Sequence, residues 1–296
     1  MRHHSLPAIN GAGQQMKLLR YGTQGSERPG LLDASGNIRD LGAILDDLDG
    51  SALSPASLIK LRALDVERLP AVGGAPRLGP CVAQPGKFIC IGLNYADHAR
   101  EANQPIPAEP IIFMKATSAL SGPNDPIIQP RHSTKLDWEV ELAFAIGTEC
   151  RYVDEAAGAA AIAGYFICND VSERSFQLER GGTWDKGKGC DSFGPIGPWL
   201  VTADEVKDPG NLPMWLDVNG RRFQSGGTST MIFKPAFLVS YLSQFMSLQP
   251  GDIVTTGTPP GVGLGQVPPV FLKPGDTVRL GIGGLGEQNQ VVVAPY

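Results

Sequence analysis

The stretch KLDWEVELAFAIG, residues 135 to 147, alternates: Trp138, Val140, Leu142, Phe144 and Ile146 take one set of positions, and Glu139, Glu141, Ala143 and Ala145 the other. A period of two predicts a half-buried strand, so both glutamates share a face, roughly 6.5–7 Å apart at their Cα atoms. Two like charges side by side repel unless a cation sits between them or one is protonated. An edge strand with a solvated face accounts for the same pattern, because glutamate is usually exposed. The alternation alone leaves both readings open.

Elsewhere, short apolar runs are punctuated by turn residues. From Met16 to about Pro80 the pattern predicts a strand in KLLRY, a hairpin around Ala34, Ser35 and Gly36, and two short helices, the second with Ser54 as N-cap and Pro55 at its first position. The Gly- and Pro-rich segment of residues 70–86 reads as a linker that closes a small N-terminal α/β domain over residues 16–80. Residues 87–296 then carry strands in KFICIGL and IIFMK around a short helix in YADHAREA, followed by the glutamate strand. A helix near Asp154 to Ala161, the strand GYFICND, a helix in SERSFQLERGG and a loop around Lys188 come next. A hairpin turning at Asn219 and Gly220 and a longer helix, PAFLVSYLSQFMSL, complete the series. Residues 1–15 read as an unstructured extension. The whole predicts a strand-dominated α+β fold.

Composition narrows the classes. The 37 glycines and 25 prolines are spread along the 296 residues, which suits many turns between short strands. With 42% hydrophobic and 19% charged residues the chain is an ordinary globular one, not a disordered one. A net charge of −5 without a Lys/Arg cluster argues against nucleic acid and leaves room for a single small anionic substrate. The absence of an apolar run of about 18 residues argues against a membrane span. Five cysteines without a CxxC pair read as reduced thiols of a cytoplasmic protein.

Charge then returns at particular places. Asp170 ends the apolar strand GYFICND; it is either a third oxygen ligand beside Glu139 and Glu141 or a helix cap, a role for which Ser172 competes. Three carboxylates suit Mg²⁺ or Mn²⁺, whereas a two-histidine iron site lacks histidines, since only His98 and His132 lie beyond the extension. His98 and Glu101 share a helix face, either as a water-activating pair or as an exposed i,i+3 ion pair. Arg174 and Gln177 follow Asp170 by four and seven residues and would offer a guanidinium and an amide to an oxyanion. Lys188 is flanked by glycines that permit close backbone approach. TTGTPPGVG, residues 255–263, lacks a nucleotide-loop pattern, and its Thr258 is a candidate donor to a substrate carboxylate.

Taken in order, CIGLNYADHAREAN, DWEVELAFAIG, GYFICNDVSERSFQ, KGKGCDSFGPIGP, GGTSTMIF and LQPGDIVTTGTPPGVG resemble the fumarylacetoacetate hydrolase family across residues 87 to 294. Both chain ends are similar to bacterial members acting on 2,4-diketo-3-deoxy sugar acids such as those from L-fuconate or L-rhamnonate. The resemblance implies a β-rich roll and a homodimer. It implies Glu139, Glu141 and Asp170 as metal ligands, His98 and Glu101 as the water-activating dyad, Lys188 as the active-site lysine, and Arg174 and Gln177 as substrate contacts. Cys190 departs from the aromatic residue expected there. The implied reaction is hydrolysis of a C3–C4 bond to pyruvate and lactate. Other acylpyruvate hydrolysis, oxaloacetate decarboxylation, keto-acid isomerisation or dehydration, and a catalytically silent metal-binding protein are the alternatives. Residues reading a hydroxylated tail are expected between Glu179 and Lys188 or between Ser225 and Thr230.

Overall fold

The computed structural model describes residues 16–295, so the expectation for residues 1–15 lies outside the described residues. A mixed ten-stranded sheet forms its spine. From edge to edge run Ile38–Asp40, Arg28–Leu32, Lys17–Tyr21, Gly194–Thr202, Ile162–Asn169, Val140–Ile146, Ile253–Thr255, Phe88–Gly92 and Ile111–Lys115, with Leu120–Ser121 also beside Gly194–Thr202. Two of the pairings are parallel, Ile253–Thr255 with Phe88–Gly92 and Leu120–Ser121 with Gly194–Thr202. A second sheet of Arg221–Gly227, Pro213–Val218, Thr277–Ile282, Gly286–Val293 and Ile127–Ile128 packs against the first. The strand-dominated α+β class expected from the sequence is the class observed.

The glutamate strand is buried on both faces, which corrects the half-buried expectation. Val140, Leu142, Phe144 and Ile146 pack with Met214, Leu216, Val278 and Leu280 of the second sheet. Ala143 and Ala145 pack instead with Leu18, Leu48 and Leu53 of the N-terminal segment. Their small side chains leave room for that covering layer. The strand proper begins at Val140, after the two-residue strand Leu136–Asp137, so Glu139 sits in the break between them.

Lys17–Tyr21 hydrogen-bonds to Gly194–Thr202, and the sheet therefore crosses the division expected at residues 70–86. Cys81, Val82 and Ala83 of that segment are buried, so it is packed and not a loose linker. Only one of the two N-terminal α-helices forms, Pro55–Arg62 with Ser54 as its cap. Before it, Asp40, Asp47 and Asp49 accept from the nearby amides of Gly42, Leu48 and Ser51, and these local bonds hold turns in place of helix. The long helix ends at Leu242. The Lys188 loop is a short helix, Asp185–Lys188. Asn219 and Gly220 make the expected hairpin turn, with φ of 51° and 77°.

Candidate active site

Strand register assembles the acidic cluster. Cys168 pairs with Glu141 and Asn169 with Val140, and the Asp170 amide donates to Glu139 O at 2.9 Å, so Asp170 stands opposite Glu139 on the same face. Glu141 follows two residues along. Ligand oxygens of the three lie within 4.8 Å of one another, all buried. The sequence predicted this meeting from residue types; the register supplies the cause.

Buried cations surround the cluster. Lys188 Nζ donates to Glu139 Oε2 at 2.7 Å and to Asp170 Oδ2 at 2.9 Å. Arg174 donates from Nη2 to Glu139 Oε1 at 2.6 Å, from Nη1 to Gln177 Oε1 at 3.1 Å, and from Nε to Asp137 Oδ2 at 2.8 Å. Burial works against the Glu139 carboxylate, yet Lys188, Arg174 and His98 outweigh it and bring the group down to about 2. Among the described residues, Glu141 is hydrogen-bonded by the Gly257 amide alone, at 2.9 Å. Burial, then Asp170 and Glu139, push its carboxyl well above the usual range.

The cluster fits a divalent cation. Asp170 Oδ1 is buried and receives no directed hydrogen bond. Lys115 Nζ lies 2.5 Å from it as an ion-pair partner while donating to the carbonyls of Val171 and Lys188. Three buried carboxylates drawn together, a Glu141 crowded by the other two and an all-oxygen donor set are what a hard cation satisfies. Glu139, Glu141 and Asp170 would hold it.

Close packing brings the helix residues in. A Cβ on Gly187 would come within 2.5 Å of Gln177 N and Glu173 O, so the Lys188 helix can lie against the Arg174–Leu178 helix only because that position is glycine. Glu173, and neither Asp170 nor Ser172, caps the latter helix, accepting from Ser175 N. Asp170 is thereby free of the capping role that competed with ligation. Gln177 uses its carbonyl oxygen on Arg174, which leaves its amide NH₂ to face a ligand.

His98 Nδ1 lies 2.9 Å from Glu101 Oε2, and Glu101 Oε1 accepts from Gly261 N at 2.9 Å. With side-chain exposures of 14% and 20%, this is not the exposed ion pair that the spacing alone allowed. A cavity of about 430 Å³ is lined by His98, Glu139, Glu141, Arg174, Gln177 and Lys188 together. Thr258 also lines it, but its hydroxyl donates to Val140 O and accepts from Gln224 Nε2. Its proton is committed to the backbone, which corrects its expected role as a donor to substrate. Cys190 does not line the cavity.

Sequence reasoning missed Lys115, Asp137 and Gly257. Asp137 is fully buried, and beyond Arg174 it accepts from Gly263 N at 2.6 Å and Leu264 N at 3.0 Å. Gly257 has φ +89°, and a Cβ there would meet Asn94 Cβ at 3.0 Å and Ile91 O at 3.2 Å. The aspartate inside KLDWEVEL and the glycine inside TTGTPPG were the available signals.

Three buried carboxylates backed by ammonium and guanidinium groups, facing an imidazole that a carboxylate orients, form a candidate centre for a divalent cation. The chain belongs to the fumarylacetoacetate hydrolase family: the family's profile, Fumarylacetoacetate (FAA) hydrolase C-terminal, matches residues 87–293. A Burkholderia ambifaria protein named "Putative hydrolase" is 63% identical over 276 residues, covering 93% of this chain and 98% of the relative. A solved fumarylacetoacetate hydrolase from psychrophilic Exiguobacterium antarcticum aligns with a TM-score of 0.82 at 33% identity, over 94% of this chain and 99% of that one. A 2-hydroxyhepta-2,4-diene-1,7-dioate isomerase from Mycobacterium marinum gives 0.73 at 31% identity, over 95% and 99%. Among the described residues no helix is long and apolar enough to cross a membrane.

Proposed function

We propose that this chain is a metal-dependent hydrolase that cleaves the C3–C4 bond of a 2,4-diketo acid, releasing pyruvate. The observation that carries this reading is the His98–Glu101 pair at the cavity holding the carboxylate cluster, because a base for water is what hydrolysis needs and a simple enolisation does not. Mg²⁺ or Mn²⁺, when bound, would supply Lewis acidity toward the substrate's carboxylate and 2-oxo oxygens.

The protein's own groups do the rest. With Glu101 accepting from Nδ1, the proton sits on that nitrogen and Nε2 is the base. His98 takes a proton from water as its oxygen attacks C4, and Glu101 stabilises the imidazolium. The C3–C4 bond then breaks with its electron pair going to C3. Lys188 and the Gln177 amide meet the charge of the pyruvate enolate, and the imidazolium returns its proton to C3. The similarity at the chain ends makes six-carbon 2,4-diketo-3-deoxy sugar acids, which would yield pyruvate and lactate, one candidate for the substrate; an acylpyruvate with an apolar tail is the other, and the lining of the cavity beyond the reacting carbons bears on the choice.

A pyruvate assay on a 2,4-diketo acid with Mg²⁺ tests the proposal. His98→Ala should lower kcat by about 10²–10⁴. Full kcat in that variant removes His98 from the reaction. The isomerase among the solved relatives motivates a second reading, in which the same enolate forms without attack by water. Product analysis separates them: an isomerase leaves the carbon skeleton whole, and a decarboxylase gives carbon dioxide with no second organic acid.

A further inference from the structure

The cavity changes character from floor to mouth. At its floor Glu139, Glu141 and Lys188 are at most 6% exposed. Toward solvent the lining becomes Leu178, Leu264 and Ile111, at 52%, 38% and 36% exposed. Between floor and mouth stands Trp184, whose ring centroid lies 5.3 Å from that of Phe113. A Cβ on Gly92 would come within 2.4 Å of Trp184 Cζ3, so the indole occupies space that only glycine leaves. Leu264 is tied down by its own amide, which donates to buried Asp137. The apolar wall is therefore built onto the site and is not a scatter of loose side chains.

Polar partners are scarce on that wall. The only cations among the lining residues, Arg174 and Lys188, are committed to Asp137, Glu139 and Asp170 at the floor. Of the two segments expected to read hydroxyls, Ser225 to Thr230 contributes nothing to the lining, and Glu179 to Lys188 contributes Trp184 and Lys188. Gln104 and the indole N–H of Trp184 are the uncharged polar groups that the outer lining offers. A buried hydroxyl without a partner is costly, and a second carboxylate without a cation more so.

We propose that the part of the substrate beyond C4 is an uncharged alkyl or aryl chain seated on Trp184, Leu178, Leu264 and Ile111, and that the site selects against hydroxylated and dianionic tails. This rests on the diketo-acid reading for the floor alone. Each methylene buried on such a wall is worth about fourfold in affinity, so a four-carbon tail should gain at least tenfold.

Calorimetry on the Mg²⁺-loaded protein reads this without turnover, using 2-oxooctanoate, 2-oxooctanedioate and 7,8-dihydroxy-2-oxooctanoate. The expected order is 2-oxooctanoate tighter than either of the others by about tenfold or more. Leu178→Asn with Leu264→Asn, both at exposed positions, should shrink that ratio to about threefold or less. Equal or tighter binding of the hydroxylated or dianionic acid overturns the inference, as does failure of all three to bind. Cleavage of the matching 2,4-dioxo acids is read separately. No cleavage with the binding order intact overturns the hydrolase reading and supports the tail assignment; cleavage with the order reversed overturns the tail assignment alone.

Discussion

Replacing Asp137 by Asn should be strongly destabilising although it changes a single atom. Its two oxygens are saturated: Oδ1 accepts from Trp138 N at 2.8 Å and Gly263 N at 2.6 Å, and Oδ2 accepts from Arg174 Nε at 2.8 Å and Leu264 N at 3.0 Å. Whichever way an asparagine amide is turned, two N–H donors face an NH₂ group. The residue is fully buried, so water cannot replace the lost acceptors. Arg174, with 7% of its side chain exposed, would also keep one carboxylate partner where it had two. Breaking a buried pair from one side costs about 3–5 kcal/mol. For a chain of this size that is a fall in Tm on the order of 10 °C. Because Arg174 reaches Glu139 and Leu264 lines the cavity, kcat should fall by at least about tenfold, as small misplacements near a reacting centre do. Differential scanning calorimetry and the pyruvate assay measure the two effects. A Tm within about 2 °C of the parent, with unchanged kcat, would refute the claim that Asp137 joins the guanidinium to the Gly263–Leu264 loop.

Three further outcomes follow from the same geometry. Glu141→Gln removes a carboxyl crowded by Asp170 and Glu139, so the metal-free variant should melt no lower than the parent while losing the Tm rise that Mg²⁺ gives; an unchanged rise would remove Glu141 from the ligand set. Gly257→Ala must place a side chain at φ +89° against Asn94 and Ile91, and should cost about 1–2 kcal/mol from the backbone alone while displacing the amide that holds Glu141; a parent-like urea midpoint would contradict this. Asp33 is subject to burial, but bonds from Asn37, Arg39 and the Ser35 amide outweigh it and bring its carboxyl down to about 2, below the usual carboxylate range. Its folded value lies below the unfolded one, so its contribution is present above about pH 4 and is lost as pH falls toward 2; Asp33→Asn should flatten that acid limb, and an unaltered limb in acid titration would count against it.

The parts of the site legible in the sequence were those with a short-range signature. Glu139 and Glu141 sit two residues apart, His98 and Glu101 three, and Arg174 and Gln177 three, so period and residue type sufficed to pair them. What periodicity could not show was that neither face of the glutamate strand meets water. Alternation with alanine fits an exposed face or one covered by something close, and here Leu18, Leu48 and Leu53 do the covering from far earlier in the chain. The first of the two expected N-terminal helices is absent for a local reason: Asp40, Asp47 and Asp49 offer their oxygens to the amides of Gly42, Leu48 and Ser51 and hold turns there.

Lys115 shows most clearly why charge balance escapes such reasoning. It ends the apolar strand IIFMK, where a lysine ordinarily carries its ammonium out to solvent. Instead it is 3% exposed, with Nζ between Asp170 and the carbonyls of Val171 and Lys188. That burial is tolerable only because Asp170 is there, and Asp170 is there only because Asn169 pairs with Val140 and sets the register. A buried lysine and a buried carboxylate thus explain each other across fifty-odd residues of sequence, through a strand pairing that neither local pattern contains. The cluster keeps three carboxylates together by distributing the opposing charge over Lys115, Lys188 and Arg174, drawn from three separate elements. The affinity of Asp170 and Glu139 for a metal would then be tuned by cations that can be changed without touching a ligand. Lys115→Met should therefore shift Mg²⁺ affinity while leaving all three ligands in place, and an affinity identical to the parent's would show that the lysine only fills space.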